Sequence, residues 1–305
     1  MNHLTRRTFI CSLGAAATMP AFSKSRAAAG PILTRAIPST GEKIPAIGLG
    51  TWITFNVGND EKLRADRTRV MQTFLDRGGS LIDSSPMYGS SEAMIGYGLA
   101  RTKNRAALFS ASKVWTMFKP LGVNQMESSR KLWGVERFDL MQVHNLLDWS
   151  THLETLKAMK AQGRVRYIGI TTSQGWRHGE LETIMRSEPI DFVQFTYNVV
   201  DREVEARLLP LAAERGLAVI INRPFQEGAL IARMMRHPLP PWAGEIDCTT
   251  WAQFLLKFII SHPAVTCAIP ATRRVDHMEE NMAALRGRLP DAKMRARMAR
   301  HAENV

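Results

Sequence analysis

From residue 44 onward the chain alternates between two hydrophobic rhythms. Short apolar runs give way to longer stretches in which apolar positions recur every three or four residues. The first rhythm belongs to strands buried on both faces, the second to amphipathic helices. Eight strands are predicted, at 44–50, 80–84, 107–113, 140–144, 167–172, 192–197, 218–222 and 267–270. Helices follow at 61–77, 92–101, 124–133, 153–162, 179–185, 203–215, 249–261 and 275–285. Strict βα alternation makes a parallel sheet. Eight short buried strands close it into an α/β fold, a (β/α)8 barrel in one domain. An open doubly wound sheet is the alternative, but Gly48-Leu49-Gly50-Thr51-Trp52 lacks the third glycine of a Rossmann turn.

Three segments lie outside this rhythm. A short hairpin around Gly41 precedes the first strand. Residues 225–247, with Pro238, Pro240 and Pro241, read as a long loop after the seventh strand. Residues 291–304 form an extra C-terminal helix.

Residues 1–29 have another character. Thr5-Arg6-Arg7-Thr8-Phe9-Ile10 leads into a mildly apolar stretch rich in Ala, Gly and Thr, and Ala27-Ala28-Ala29 offers a cleavage site. Paired arginines before a weak apolar core indicate the twin-arginine route. The expectation is a signal peptide at 1–29, the twin-arginine translocase as export partner, a periplasmic destination and a mature domain at 30–305. The apolar stretch is too short to span a bilayer, so no stable membrane anchor is expected.

The chain has 305 residues, 45% hydrophobic, enough for a full core, and a formal net charge of +12. Such a charge raises the question of nucleic acid. Basic residues alternate with acids, however, as at Arg202, Glu203, Glu205 and Arg207, and no basic run is interleaved with aromatics. Nucleic acid is not an expected partner. Cys248 and Cys267 flank a predicted helix that holds them too far apart for a disulfide. One surface thiol and one core thiol are expected. The histidines are dispersed, and no metal-ligand spacing occurs.

Four chemically useful side chains fall at or just after predicted strand ends: Asp83, Tyr88, Lys113 and His144. The gaps from Asp83 to Lys113 and from Lys113 to His144 are each roughly one strand-helix unit of about 30 residues. Successive parallel strands would bring them to one mouth, where barrels carry their chemistry. Hydride addition to a carbonyl develops negative charge on oxygen and calls for an acid within reach. Tyr88 can be that acid, Lys113 would lower its pKa, Asp83 would hold Lys113, and His144 would orient the carbonyl.

With these residues in order, the chain resembles an aldo-keto reductase from about Ile44 to Asn281. The resemblance rests on Gly48 to Trp52, Asp83 to Glu92, Ser112-Lys113, Gln142-Val143-His144, Ile168-Gly169-Ile170, Gln194, and Ile269-Pro270 through Glu280-Asn281. It implies NAD(P)H-dependent reduction of a small carbonyl, or oxidation of an alcohol, with Asp83, Tyr88, Lys113 and His144 as the catalytic tetrad. A dinucleotide-binding sensor on the same barrel is the alternative.

The resemblance also implies cofactor contacts at Thr51, Thr171, Thr172, Gln194, Asn222, Arg223, Pro224, Thr272, Arg273, Arg274, Glu280 and Asn281. Two positions depart from the family pattern. Thr171-Thr172 stand where Ser-Asn is usual, and Asn222 where many members stack an aromatic ring on the nicotinamide, unless Tyr197 or Phe225 substitutes. Arg273 and Arg274 favour NADP(H) over NAD(H), since guanidinium forks suit a phosphate. Trp52 and Trp115 are expected as apolar walls of the substrate pocket.

Overall fold

The computed structural model describes residues 30–305; the predicted signal, residues 1–29, lies outside the described residues. Strands β1 (Thr34–Ala36) and β2 (Lys43–Pro45) pair antiparallel as the hairpin around Gly41. Eight strands then run parallel: β3 (Leu49–Gly50), β4 (Leu81–Asp83), β5 (Phe109–Val114), β6 (Phe138–Val143), β7 (Val165–Thr171), β8 (Phe192–Thr196), β9 (Ala218–Asn222) and β10 (Cys267–Ala268). They hydrogen-bond in chain order. Parallel bridges from Ile47 to Ala268 and from Gly50 to Ala271 join the two ends and close the barrel. The seam requires glycine: a Cβ on Gly50 would lie 2.6 Å from the Ile269 carbonyl oxygen. The (β/α)8 fold read from the sequence is the fold observed.

The helices are α1 (Glu61–Asp76), α2 (Ser91–Leu99), α3 (Lys119–Trp133), α4 (Trp149–Ala161), α5 (His178–Ser187), α6 (Leu208–Glu214), α7 (Ala229–Met234), α8 (Trp251–Ile260), α9 (Val275–Ala283) and α10 (Ala292–Glu303). Side-chain caps set several starts: Asp60 accepts from Leu63 N, Thr250 from Gln253 N and Asp291 from Met294 N. Among the described residues no helix is long and apolar enough to cross a membrane.

Several boundaries differ from the reading of the sequence, each for a local reason. Residues 43–45 belong to the hairpin, whose ladder runs one step past Pro45 to Ala46 N, which donates to the Leu33 carbonyl at 3.1 Å, before the barrel strand begins. The helix expected at 203–215 splits into a 3-10 turn at Glu203–Glu205 and α6. Pro210 has no N–H to bond back to residue 206, so the helix restarts where a proline in the first turn loses nothing. The long segment 225–247 is partly helical, holding α7 and a 3-10 stretch at Pro241–Ile246. Cys248 is buried, as is Cys267, so neither is a surface thiol.

Strand pleating divides the core in two. Residues such as Ile82, Val114, Met141, Val193 and Val219 face the helices. Leu81, Phe109, Ala111, Leu140, Tyr167, Phe192 and Ile220 form a separate interior cluster, plugged at the bottom by Ile37 and Ile44 of the hairpin. On five of the strands the inner face turns polar at its next step up: Leu81 gives Asp83, Ala111 gives Lys113, Leu140 gives Gln142, Phe192 gives Gln194 and Ile220 gives Asn222. The strands' period of two thus carries an apolar plug and, directly above it, a polar layer.

Candidate active site

Lys113 is fully buried on the inner face of β5, in register with Gln142 of β6. Its Nζ donates to Asp83 Oδ1 at 2.5 Å and to the Ser84 carbonyl at 2.8 Å. Asp83 Oδ2 accepts from Gln142 Nε2 at 3.2 Å and Gln194 Nε2 at 3.1 Å. A buried ion pair repays its desolvation only when its remaining lone pairs are used, and the two glutamines use them. Burial alone would lower the Lys113 pKa; Asp83 and Tyr88 outweigh it, and the ammonium is held above its ordinary value.

Tyr88 ends a 3-10 turn (Pro86–Tyr88) just above this pair. Gly89 follows with φ +60, the left-handed region that favours glycine. Lys113 Nζ lies 5.2 Å from the Tyr88 ring centroid. Burial raises the phenol's pKa; Lys113 pulls it down and Asp83 pushes it up, and the net direction is upward. The sequence reading had Lys113 lowering it. The ammonium does act in that direction, but Asp83 neutralises much of its field and desolvation prevails. Tyr88 is therefore protonated at neutral pH, as a proton donor must be.

His144 follows β6, its ring edge-on to Tyr88 with centroids 5.7 Å apart. Burial, with Lys113 adding to it, pushes its pKa well below the usual imidazole value, so the ring is neutral. Ser85 Oγ accepts the Met87 N–H at 3.2 Å and lies 2.9 Å from His144 Nδ1. A hydroxyl that accepts from Met87 is free to give its proton to Nδ1, and with Ser85 as that donor the imidazole proton sits on Nε2. Trp52 packs against Tyr88 at 4.9 Å between centroids, and Trp115 follows β5 with its side chain partly exposed.

The residues assigned to the cofactor fall into two groups. Thr51, Thr171, Thr172, Gln194 and Asn222 sit at strand ends around the polar layer. Thr51 Oγ1 donates to the Asp83 carbonyl, and Thr171 Oγ1 accepts from Asn145 N. Asn222 Nδ2 donates to the Thr172 carbonyl at 2.8 Å and to Gln194 Oε1 at 3.4 Å. Its Oδ1 accepts from Thr196 Oγ1 at 2.7 Å. Asn222 is thus tied into the polar layer in place of a stacking ring. Tyr197 does not replace that ring: it is fully buried, and its hydroxyl bonds Glu205 and Arg295. Phe225 is only partly buried, packed against the core. Thr172 Oγ1 is buried and has no hydrogen-bond partner. An orphaned hydroxyl at this strand end fits a polar partner such as a carboxamide.

Arg223, Pro224, Thr272, Arg273, Arg274, Glu280 and Asn281 lie along the loops after β9 and β10 and on α9. Arg223 pairs with Glu227 and Pro224 is buried. Thr272 Oγ1 accepts from Arg274 N, and Arg274 pairs with Asp276 at 2.5 Å. Arg273 is exposed and makes no ion pair among the described residues. Glu280 is half-buried and Asn281 buried.

Three residues escaped the sequence reading of the site. Gln142 supports Asp83, and its inner-face position two residues before His144 was a usable signal. Ser85 orients His144 through a fold contact that the sequence does not reveal. Arg67 occupies the buried stripe of α1 with Val70, Met71 and Phe74, donating to the Thr54 carbonyl at 2.6 Å and the Arg273 carbonyl at 3.2 Å. It ties the loop after β3 to the loop after β10.

A parallel barrel with a lysine-supported tyrosine and a neutral histidine at its C-terminal mouth is the frame of a carbonyl oxidoreductase. The chain belongs to the aldo/keto reductase family, which it matches over residues 46–301, and it is an NAD(P)-dependent oxidoreductase of that type. Methylglyoxal reductase YeaE from Escherichia coli is 27% identical over 260 residues, covering 82% of this chain and 89% of the relative. The NADH-specific methylglyoxal reductase of the same organism is 22% identical over 316 residues, covering 83% and 94%. An aldo/keto reductase from Klebsiella pneumoniae in complex with NADP and acetate has the same fold, with TM-score 0.69, 24% identity, and coverage of 86% and 93%.

Proposed function

We propose that the protein reduces a small aldehyde or ketone with NADPH, with Tyr88 as general acid and His144 as the group that orients the carbonyl. The observation that carries this reading is the buried Lys113–Asp83 pair beneath a protonated Tyr88, beside a neutral His144. When bound, the reduced nicotinamide supplies the hydride that adds to the carbonyl carbon. As charge grows on the oxygen, Tyr88 gives up its phenolic proton and His144 Nε2 donates a hydrogen bond. Lys113 stabilises the phenolate that remains, and Asp83, fixed by Gln142 and Gln194, keeps Lys113 charged. Thr172 Oγ1 and Gln194 would hold the carboxamide, with Thr51, Thr171, Asn222, Arg223 and Pro224 around it. Thr272, Arg273, Arg274, Glu280 and Asn281 would hold the adenosine end. NADPH is favoured over NADH because Arg273 pairs with no carboxylate among the described residues.

Residues 1–29 support a second part of the reading, export to the periplasm by the twin-arginine route. That route carries folded chains, so cofactor bound in the cytoplasm would travel with the protein.

Titration of the purified protein with NADPH and NADH, followed by tryptophan fluorescence, tests the cofactor reading. Saturable quenching that is tighter for NADPH is expected, with oxidation of the cofactor when an aldehyde is added. Absence of binding by either nucleotide contradicts it. Export is tested with Arg6→Lys and Arg7→Lys together. The protein should then stay in the cytoplasm; undiminished export overturns the assignment.

A further inference from the structure

The mouth of the barrel is chemically divided. Tyr88 and His144 stand on the loops after β4 and β6, and the loops after β3, β5 and β7 alternate with these around the rim. Those three loops carry Trp52, Ile53, Trp115, Met117, Phe118 and Trp176, all large, apolar and exposed. The exposure is substantial: 60% for Ile53, 65% for Phe118 and 62% for Trp176. In a chain that is 22% charged, residues 51–57, 114–118 and 172–176 contain no charge at all. The loops after β9 and β10 are the opposite, with Arg223, Glu227, Arg273 and Arg274.

This rim is built rather than incidental. Ile53 and Phe118 have φ of 61 and 69, a left-handed conformation unfavourable for a β-branched or aromatic residue, and such strain gathers at functional sites. The segment after β5 is pinned at three points. Gln125 bonds both the N–H and the carbonyl of Trp115, His152 Nε2 meets the Thr116 carbonyl at 2.7 Å, and Asp148 accepts from Phe118 N at 2.8 Å. The loop after β3 reaches the reaction centre, since Trp52 packs on Tyr88.

We infer that the substrate is a carbonyl with a long, uncharged apolar tail, which lies across Ile53, Phe118 and Trp176 as it leaves the mouth. This rests on the reductase reading and replaces its small carbonyl with a long-tailed one. The nearest cations are Lys119 and Arg177 at the rim's edge, the latter already paired with Glu180, and the apolar surface between them offers an anionic tail no counter-ion, so a carboxylate or phosphate on the substrate is discriminated against.

The test compares kcat/KM for butanal, hexanal, octanal and succinic semialdehyde, the last being short and anionic. The wild-type protein should favour octanal over butanal by roughly tenfold or more, with succinic semialdehyde the poorest of the four. In a double variant, Phe118→Ser with Trp176→Ser, the octanal-to-butanal ratio should fall towards one. These side chains are exposed, so unchanged far-ultraviolet dichroism is expected. Tyr88-dependent reduction of butanal with no dependence on chain length overturns the substrate class alone. Failure to reduce any of the series overturns the reductase reading with it. A concentration-dependent dimer that the double variant abolishes, together with a flat length profile, assigns the rim to a second copy of the chain and also overturns the inference.

Discussion

Lys113 Nζ lies 2.5 Å from Asp83 Oδ1 with both side chains buried, so neither charge has water as an alternative partner. Asp83→Asn strands the ammonium, and unfolding free energy should fall by about 3–5 kcal/mol in urea titrations. The sign of its pH dependence follows from the raised Lys113 pKa. The contribution is complete below the ordinary lysine value of 10.5 and is lost only as pH climbs through the higher folded value. The wild-type contribution should therefore be constant from pH 7 to about 10, while the variant, in which burial is left to lower the Lys113 pKa, should recover part of the gap as pH rises.

Thr172 Oγ1 is buried without a partner, which separates its structural and binding roles. Thr172→Val removes an unsatisfied hydroxyl at nearly constant volume. Stability without cofactor should hold or rise by up to about 1 kcal/mol, while NADPH affinity weakens roughly tenfold. Equal affinity in the two proteins would remove Thr172 from the site.

Much of this was legible in the sequence because a strand's period of two is simple. Once Leu81, Ala111 and Leu140 are placed inside the barrel, Asp83, Lys113 and Gln142 must follow on the same face. What was not legible depends on partners distant in sequence. Ser85 meets His144 across the end of β5, which lies between β4 and β6, and Tyr197 is withdrawn from the mouth because Arg295 of α10 and Glu205 claim its hydroxyl. The direction of the Tyr88 pKa turned on burial, which no spacing reveals. Pro210 was visible, but its effect in splitting a helix competes with an otherwise continuous apolar pattern.

Ser85 provides a test of the His144 tautomer. Ser85→Ala removes the donor to Nδ1, and kcat should drop roughly tenfold with little change in KM, because orientation at the reacting oxygen is lost. An unchanged kcat would show that the tautomer is fixed in another way.

Acid should destabilise the protein through its buried histidines. His144 is held well below the usual imidazole value of 6.5, and burial takes His262 from 6.5 to about 4. For a base with a depressed pKa, the unfolded chain binds more protons below 6.5. Stability therefore falls with decreasing pH from about 6.5 towards 4. Urea midpoints measured at pH 7.5, 6, 5 and 4 should decline in that order, and a flat series would contradict the assignment of neutral buried rings.

Arg273 and Arg274 differ in a way the sequence hides, since Arg274 already holds Asp276. Arg273→Ala should weaken NADPH roughly tenfold or more and leave NADH within about twofold. Asp276→Asn should release Arg274 and tighten NADPH. The reverse pattern in dissociation constants would mean that the loop after β10 does not read the 2′-phosphate.

The most direct test of the account is Tyr88→Phe, with butanal reduction and NADPH binding measured on the same preparation. The ring that packs on Trp52 is retained and only the acid is removed. The account predicts a kcat lower by roughly a hundredfold or more, with the NADPH dissociation constant within about threefold of wild type. Turnover that persists at the wild-type rate would contradict it, because the account makes the Tyr88 phenol the proton donor and leaves His144 only a hydrogen bond to the carbonyl oxygen.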